Sequence, residues 1–485
     1  MLNRLFGSQF HQHFYYFVLL LFFIGVCCST FLMSMGLFLG GLNFLLQADF
    51  KFYWMQLRTN RLFWLITLFY GLHLIGLLWT SDFQYGCDDI RKKATLLVIP
   101  LLMCSHDLPP KRIRYRLLLT FVATLLITSL INFIAYLFYR EQMHIIDIRG
   151  LSLFGSHIRY GILIALGTGI SVELANYYAR QKWFFLALIP WFLFYTYFSQ
   201  VLSGVVAMII VLAVILLFRF SIKMRLRLSI ISAILLLGTS YFIVHYLSQP
   251  INYTFKNKNE LTLSLAWNQR SAIHYDSLDQ RQQKLSTTLQ RYLSSKNLDA
   301  NGKGVAALDK YDIRNIEEGF ADIHETENGL MARLYGIRFQ LHNAENPNGH
   351  SILERIEFWK NSWQIIQKNW LMGVGTGDVQ QEILKMYEKR NSPLSEEHRL
   401  RTHNSYLTFW LTFGIFGLLY FIYLQWTFLR FQWNNQNMIG VMFILVAFGT
   451  FFFEDTLETQ MGITFFALFY AFFSRQQSES TVNTQ

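Results

Sequence analysis

His403 and Asn404 are the pair from which a reaction can be built. Imidazole takes up and releases a proton near neutral pH with little tuning. At the edge of an apolar segment, it could take the proton from a sugar hydroxyl while that oxygen attacks an anomeric carbon. An interfacial His bonded to a backbone carbonyl is the plainer reading. Asn404 could orient the ring, bind substrate, or simply start a helix. Nine residues separate Asn404 from Gly414, and two more separate Gly414 from Gly417, within RTHNSYLTFWLTFGIFGLLYF at 401–421.

Arg355 is the second candidate. It lies in SILERIEFWKNSWQIIQKNWLMGVGTGD at 351–378. A guanidinium stays charged and grips phosphate oxygens in a two-pronged way. Fixed beside a phosphate leaving group, it would speed departure. Trp359, one turn on, could stack on Arg355 or on a sugar ring. The competing reading of Arg355 is a surface ion pair with Glu354 or Glu357. Further cations could bind substrate: Arg401, two residues before His403, with Arg399 beyond it; Arg333 and Arg338 in NGLMARLYGIRFQL; and Arg159 in GSHIRYG. Snorkelling to lipid headgroups accounts for these equally simply. Glu454, Asp455 and Glu458 in FFFEDTLETQMG could bond sugar hydroxyls or pair with arginines, or could be solvated loop acids.

These residues need elements to hold them. The 485-residue chain is 53% hydrophobic, 17% aromatic and 15% charged. Soluble domains carry about a quarter charged residues. The apolar residues fall in runs long enough to cross a bilayer, which takes about 20 residues as a helix. About twelve spans are expected, near 15–30, 31–47, 62–80, 94–104, 116–138, 158–177, 183–198, 201–219, 228–247, 404–428, 437–453 and 462–474. The first run continues into the second with no small-residue cleavage site, so it reads as a retained span. Cys27, Cys28 and Cys104 fall in apolar segments and Cys87 in a short loop, so neither a disulfide framework nor a CxxC metal pattern is present.

The net charge of +11 follows the membrane rather than nucleic acid. Lys and Arg concentrate in alternate short connections, including Arg58, Arg61, Lys111, Arg112, Arg114, Arg219, Arg430 and Arg475. That bias puts these connections and both termini in the cytoplasm, where anionic lipid attracts them. The expected domains are spans one to nine over 1–247, an external loop over 248–402, spans ten to twelve over 403–475, and a polar tail over 476–485. The loop holds 20 Lys and Arg against 19 Asp and Glu. Its patterning is helical. Residues 277–296 carry Leu278, Leu285, Leu289 and Leu293 on one side; 351–368 repeat Ile352, Ile356, Trp359, Trp363 and Ile366; and 379–390 follow Asp378 as a cap.

The His-Asn, nine-residue, Gly-x-x-Gly spacing resembles the signature of the O-antigen ligases. These are integral-membrane glycosyltransferases related to polysaccharide polymerases and O-oligosaccharyltransferases. The 351–378 stretch resembles the segment that precedes the catalytic His in their loops. The resemblance implies an all-α membrane fold with a large periplasmic loop and an active site facing the periplasm from the inner membrane. It implies an undecaprenyl-diphosphate-linked glycan as donor, and a hydroxyl of the lipid A core, a growing polymer or a protein as acceptor. His403 would be the base and Arg355 the pyrophosphate grip. No cofactor is implied, and the related ligases are considered metal-independent. One departure stands out. Such ligases commonly show a Ser-Arg-Gly-like run where the seventh span meets the eighth, whereas this chain reads SQVLSGVV at 199–206, so Arg159 or a loop arginine would have to replace that cation.

Two motifs are set aside. GVGTGD at 373–378 lacks the preceding strand of a dinucleotide site and reads as a turn feeding a helix. DANGKGVAALDK at 299–310 has lysines where calcium ligands belong. A transporter is the non-enzymatic alternative. No pair of Gly/Pro-broken spans at matching positions and no ionisable cluster in mid-membrane supports it.

Overall fold

The computed structural model describes residues 7–139, 142, 152–220, 224, 227, 231, 238, 241–326, 330–343 and 346–475. Among these residues every regular element is a helix, apart from two isolated bridges. The chain packs as two compact units. One comprises residues 1–225, 365–382 and 403–485, and the other 226–364 and 383–402.

The first unit opens with α1 (Ser8–Cys28), α2 (Thr30–Gln47), α3 (Phe50–Arg58), α4 (Arg61–Ile75), α5 (Phe83–Lys93) and α6 (Thr95–Ser105). It continues with α7 (Lys111–Tyr139), α8 (His157–Tyr177), α9 (Lys182–Ser199) and α10 (Leu202–Arg219). Seven helices among the described residues are long and apolar enough to cross a membrane: α1, α2, α4 with its 3-10 extension to Trp79, α7, α8, α10 and Ser405–Asn434. The chain is therefore a multi-pass, all-helical membrane protein. Seven is the number that length and composition establish. The expected spans at 94–104 and 183–198 are the helices α6 and α9, each running through an internal proline, Pro100 and Pro190. The expected span at 228–247 falls largely outside the described residues, and the tail at 476–485 wholly so.

The two apolar helices near the C-terminus, Met438–Thr450 and Gln460–Phe473, are shorter than a bilayer crossing. Ile463, Phe466, Ala467, Leu468, Phe469 and Tyr470 are all fully buried, among α6, α1 and Met438–Thr450. A helix apolar on every side is one surrounded by other helices. This one has protein, not lipid, for its neighbours.

The second unit holds α11 (Glu260–Asn268), α12 (Leu285–Ser295), α13 (Lys310–Glu317) and α14 (Leu330–Asn343). Its core is Leu263, Trp267, Leu285, Leu289, Tyr292, Leu293 and Ile316. The helix expected over 277–296 begins only at Leu285. Upstream, the Asp279 carboxylate accepts the N–H groups of Arg281 and Gln283 and the Thr288 hydroxyl. Such local bonds compete with helical ones, and Leu278 is left half-exposed. DANGKGVAALDK makes a helix start, with the Asn301 side chain accepting the N–H groups of Lys303 and Gly304.

The later helices are α15 (Ser351–Lys368), α16 (Val379–Lys389), α17 (Ser405–Asn434), α18 (Met438–Thr450) and α19 (Gln460–Phe473). The expected bounds of α15 are correct, but its packed face is rotated. Trp363 is exposed, while Glu357, Phe358, Asn361 and Ser362 are buried. A polar contact explains the rotation. Arg390 donates to the Asn361 side chain at 2.8 Å and stands 3.6 Å from the Glu357 carboxylate, which Lys360 approaches to 2.8 Å.

α17 is broken at Gly414, whose φ is +67°. The break frees backbone groups that a membrane interior cannot solvate, each costing several kcal/mol if left unpaired. GVGTGD supplies the partners. Val374 and Gly375 donate their N–H groups to the carbonyls of Leu411 and Thr412, and the Ile415 N–H turns to the carbonyl of Trp370. The same loop ties to the end of α4: the Thr376 hydroxyl donates to the His73 carbonyl, and the Gly377 N–H to the Thr80 hydroxyl. Asp378 extends this seam by accepting the N–H groups of Ser81 and Asp82.

Candidate functional site

His403 sits immediately ahead of α17 with φ +46°, a left-handed conformation that costs a side-chain-bearing residue about 1–2 kcal/mol. Asn404 follows as the helix cap, its side-chain oxygen accepting the Leu407 N–H at 3.1 Å. Of the roles open to Asn404, capping is therefore in place. The strained position of His403 is held from below. Asp455 Oδ2 accepts the His403 backbone N–H at 2.8 Å, and Asp455 Oδ1 accepts the Thr408 hydroxyl at 2.7 Å. The Ser405 hydroxyl donates to the Glu454 carbonyl, and the Ser405 N–H to that of Phe451.

The reading of Glu454 and Asp455 as solvated acids is overturned. Each is only 8% exposed. The imidazole itself keeps 32% of its surface open, with Nδ1 4.0 Å from Glu454 Oε2. That gap is too long for a hydrogen bond, but it is ion-pair distance once the ring takes up a proton. At an effective dielectric of about 20, the attraction would be on the order of 4 kcal/mol. A proton taken up by the ring would therefore be stabilised there by the carboxylate.

Arg159 enters this neighbourhood at the start of α8. It lies within electrostatic reach of Glu454 and shares a small cleft with Thr450, Thr456 and Met461. Two residues on, Gly161 packs directly on Gly204, where a Cβ on either would stand 3.1 Å from the other's Cα. Gly204 belongs to the SQVLSGVV segment, which folds as the tight joint between α9 and α10 with Gln200 left-handed. Arg159 is thus anchored beside the place where the expected arginine is missing.

Glu458, three residues beyond Asp455, reaches a second buried group. The Lys93 ammonium lies 2.8 Å from Glu458 and 2.7 Å from Asp89, and its side chain is 4% exposed. The 454–458 turn is therefore fixed at both ends, by His403 on one side and by Lys93 on the other. Lys93 is not among the candidates that the sequence singles out. The available signal was an acidic pair set directly after three phenylalanines, a costly placement unless the charges are used.

The remaining candidates lie in the second unit. Arg355, half-buried on α15, donates to the Ser351 carbonyl at 3.0 Å. The two acids proposed as its ion-pair partners have other ties: Glu354 meets His398 at 2.7 Å, and Glu357 meets Lys360 and Arg390. Trp359 donates its indole N–H to the carbonyl of Thr402, the residue before His403 in the chain. Arg338 donates to the carbonyls of Gln249 and Pro250 and lies over the Tyr246 ring at 5.0 Å, so its fork serves the loop. Arg333 on α14 and Arg401 are both half-buried.

A membrane helix broken at Gly414, a left-handed His ahead of the break and two buried carboxylates packed against it make up the candidate site. Residues 184–422 match the family model described as O-antigen ligase. The chain belongs to the O-antigen ligase family, within the ligase and polymerase superfamily of glycosyltransferase-like enzymes. The matched segment contains Arg355, Arg401, His403, Asn404, Gly414 and Gly417, while Arg159 and Glu454 lie outside it. No curated protein matches the chain.

Proposed function

We propose that the protein transfers a glycan from undecaprenyl diphosphate to a hydroxyl of the lipid A core at the periplasmic face of the inner membrane. His403 removes the acceptor proton, and the Glu454 carboxylate stabilises the resulting imidazolium. Asp455 and Asn404 hold the ring's backbone. Arg355, with Arg159, Arg333 and Arg401 as further cations, binds the donor pyrophosphate and stabilises it as it leaves. Direct attack inverts the anomeric centre, and no metal is required. Both lipid-borne substrates are confined to one leaflet, which raises their effective concentration.

The observation that carries this reading is the half-open His403 ring, held from its backbone by a buried carboxylate and faced by a second. The test uses purified protein with carrier-linked glycan and three acceptors: lipid A core, a second carrier-linked glycan, and a Ser/Thr peptide. Transfer to the core alone, abolished by His403→Ala, is expected. Unimpaired transfer by His403→Ala removes the base, and transfer to either other acceptor instead reassigns the enzyme within its superfamily.

A further inference from the structure

At the far end of α17 from His403, three helix ends converge on an open cleft of about 680 Å³. Its walls are the start of α4 from Thr59 to Leu62, the last turns of α17 from Tyr423 to Asn434, and the residues after α19. Arg61, Arg430 and Arg475 all line it, with no carboxylate among the lining residues. None of the three forms an ion pair with a carboxylate among the described residues. Arg475 donates to the carbonyls of Cys104 and His106 and to the Gln56 side chain, and Arg61 donates to the Tyr423 hydroxyl at 2.8 Å. Three like charges share this cleft, where the positive end of α4 is set against the negative ends of α17 and α19. An anion would relieve their repulsion, and guanidinium forks suit phosphate oxygens.

A second set of residues identifies the anion's carrier. Phe416, Leu419, Ile422, Tyr423 and Trp426 form an exposed stripe at helical spacing along α17, leading into the cleft. Such a surface on a membrane helix faces acyl chains. Tyr423 and Trp426, 44% and 60% exposed, stand at its cleft end. Tyr and Trp concentrate at headgroup level, so the cleft lies at that depth. A soluble ion would need the arginines but gain nothing from the stripe.

We propose that this cleft binds the phosphodiester headgroup of an anionic glycerophospholipid, with the acyl chains lying along the α17 stripe. The site is separate from the transfer site and does not depend on its chemistry. It is tested by native mass spectrometry and thermal melting of the full-length protein in detergent. The additives are cardiolipin or phosphatidylglycerol, phosphatidylcholine as zwitterionic control, and inorganic phosphate as the free-ion arm. Cardiolipin or phosphatidylglycerol should be retained and should raise the melting temperature. The Arg61→Gln/Arg430→Gln variant should retain about tenfold less, and Arg61→Lys/Arg430→Lys should recover part of it. Lipid-free melting close to wild type checks that the variants fold, and Arg430→Gln alone stands in if the double variant does not. Equal retention by the Gln variant, equal binding of phosphatidylcholine, or an equivalent shift with inorganic phosphate each overturns the assignment.

Discussion

Replacing Asp455 with Asn isolates what the buried carboxylate does for His403. Its two oxygens each accept one bond, from the His403 N–H at 2.8 Å and the Thr408 hydroxyl at 2.7 Å. An amide has one oxygen and one NH2, so one of the two donors would meet another donor. A hydrogen bond to a charged group contributes about 1.5–3 kcal/mol. At 1.36 kcal/mol per decade that is about 10- to 150-fold if expressed entirely in rate. The strain at His403 directs it there. Without its anchor, a residue at φ +46° relaxes toward a commoner conformation and carries the ring out of line. Turnover should therefore fall within that range while the KM for the carrier-linked donor changes little. The double variant Asp455→Asn/His403→Ala should be no slower than His403→Ala, because groups acting as one unit are not additive. Steady-state transfer by the three variants decides it. Wild-type turnover in Asp455→Asn, or a double variant slower by the full product, refutes the reasoning.

Gly414→Ala should destabilise the protein by several kcal/mol, since the added Cβ would lie 2.0 Å from the Leu371 carbonyl oxygen at a φ of +67°; an unchanged thermal melt would show that the break in α17 is not fixed by this loop. Lys93→Met strands two carboxylates that are 8% and 11% exposed and should cost about 3–5 kcal/mol. Adding Asp89→Asn and Glu458→Gln should restore most of that loss in the same melt. In the second unit, burial, opposed by Arg281 and reinforced by Asp322, raises Glu325 to about 7, while burial and then Arg281 lower His350 to about 4. Glu325 takes up protons on folding, so its contribution falls as pH rises from 4.5 to 7. His350 sheds them, so its contribution grows from 4 to 6.5. Each slope is about 1.4 kcal/mol per pH unit, and they cancel between pH 4.5 and 6.5. Hydrogen exchange of α12 in the full-length protein, corrected for intrinsic rates, should be nearly flat over that window. His350→Asn should lose protection as pH rises, Glu325→Gln should gain it, and identical profiles for all three would sink the assignment.

Much of this was legible in residue types and spacing. The apolar runs give the membrane helices. The His-Asn dipeptide marks a helix start because Asn caps through a local bond, and local bonds are what sequence displays. The expected bounds of α15 match because Ser351–Lys368 is continuous and periodic. What stayed hidden depends on partners far along the chain. GVGTGD reads as a turn, and only the break at Gly414, some forty residues later, shows why its N–H groups are needed. Glu454 and Asp455 read as solvated because acids usually are, and their burial depends on a His fifty residues upstream. Lys93 escaped notice because only Asp89 is near it in sequence, and the Glu458 carboxylate that completes its burial comes from a distant segment. The rotation of α15 escaped because an internal Glu357–Arg390 contact outweighed the tryptophans in choosing which side to cover.

The lacing of 373–378 into α17 also changes how the chain can be remodelled. The polypeptide passes from the first unit to the second twice before His403, over 226–364 and again over 383–402, and returns to the first in between. A nick in the second excursion, around Asn391–His398, would leave the fragment bearing Arg355 moored through its own C-terminal backbone bonds. The fragment beginning with the base would keep its hold through Asp455. The second excursion is thus open to lengthening, shortening or cutting without casting either candidate residue adrift, whereas a single substitution at Gly373 or Gly414 would loosen both.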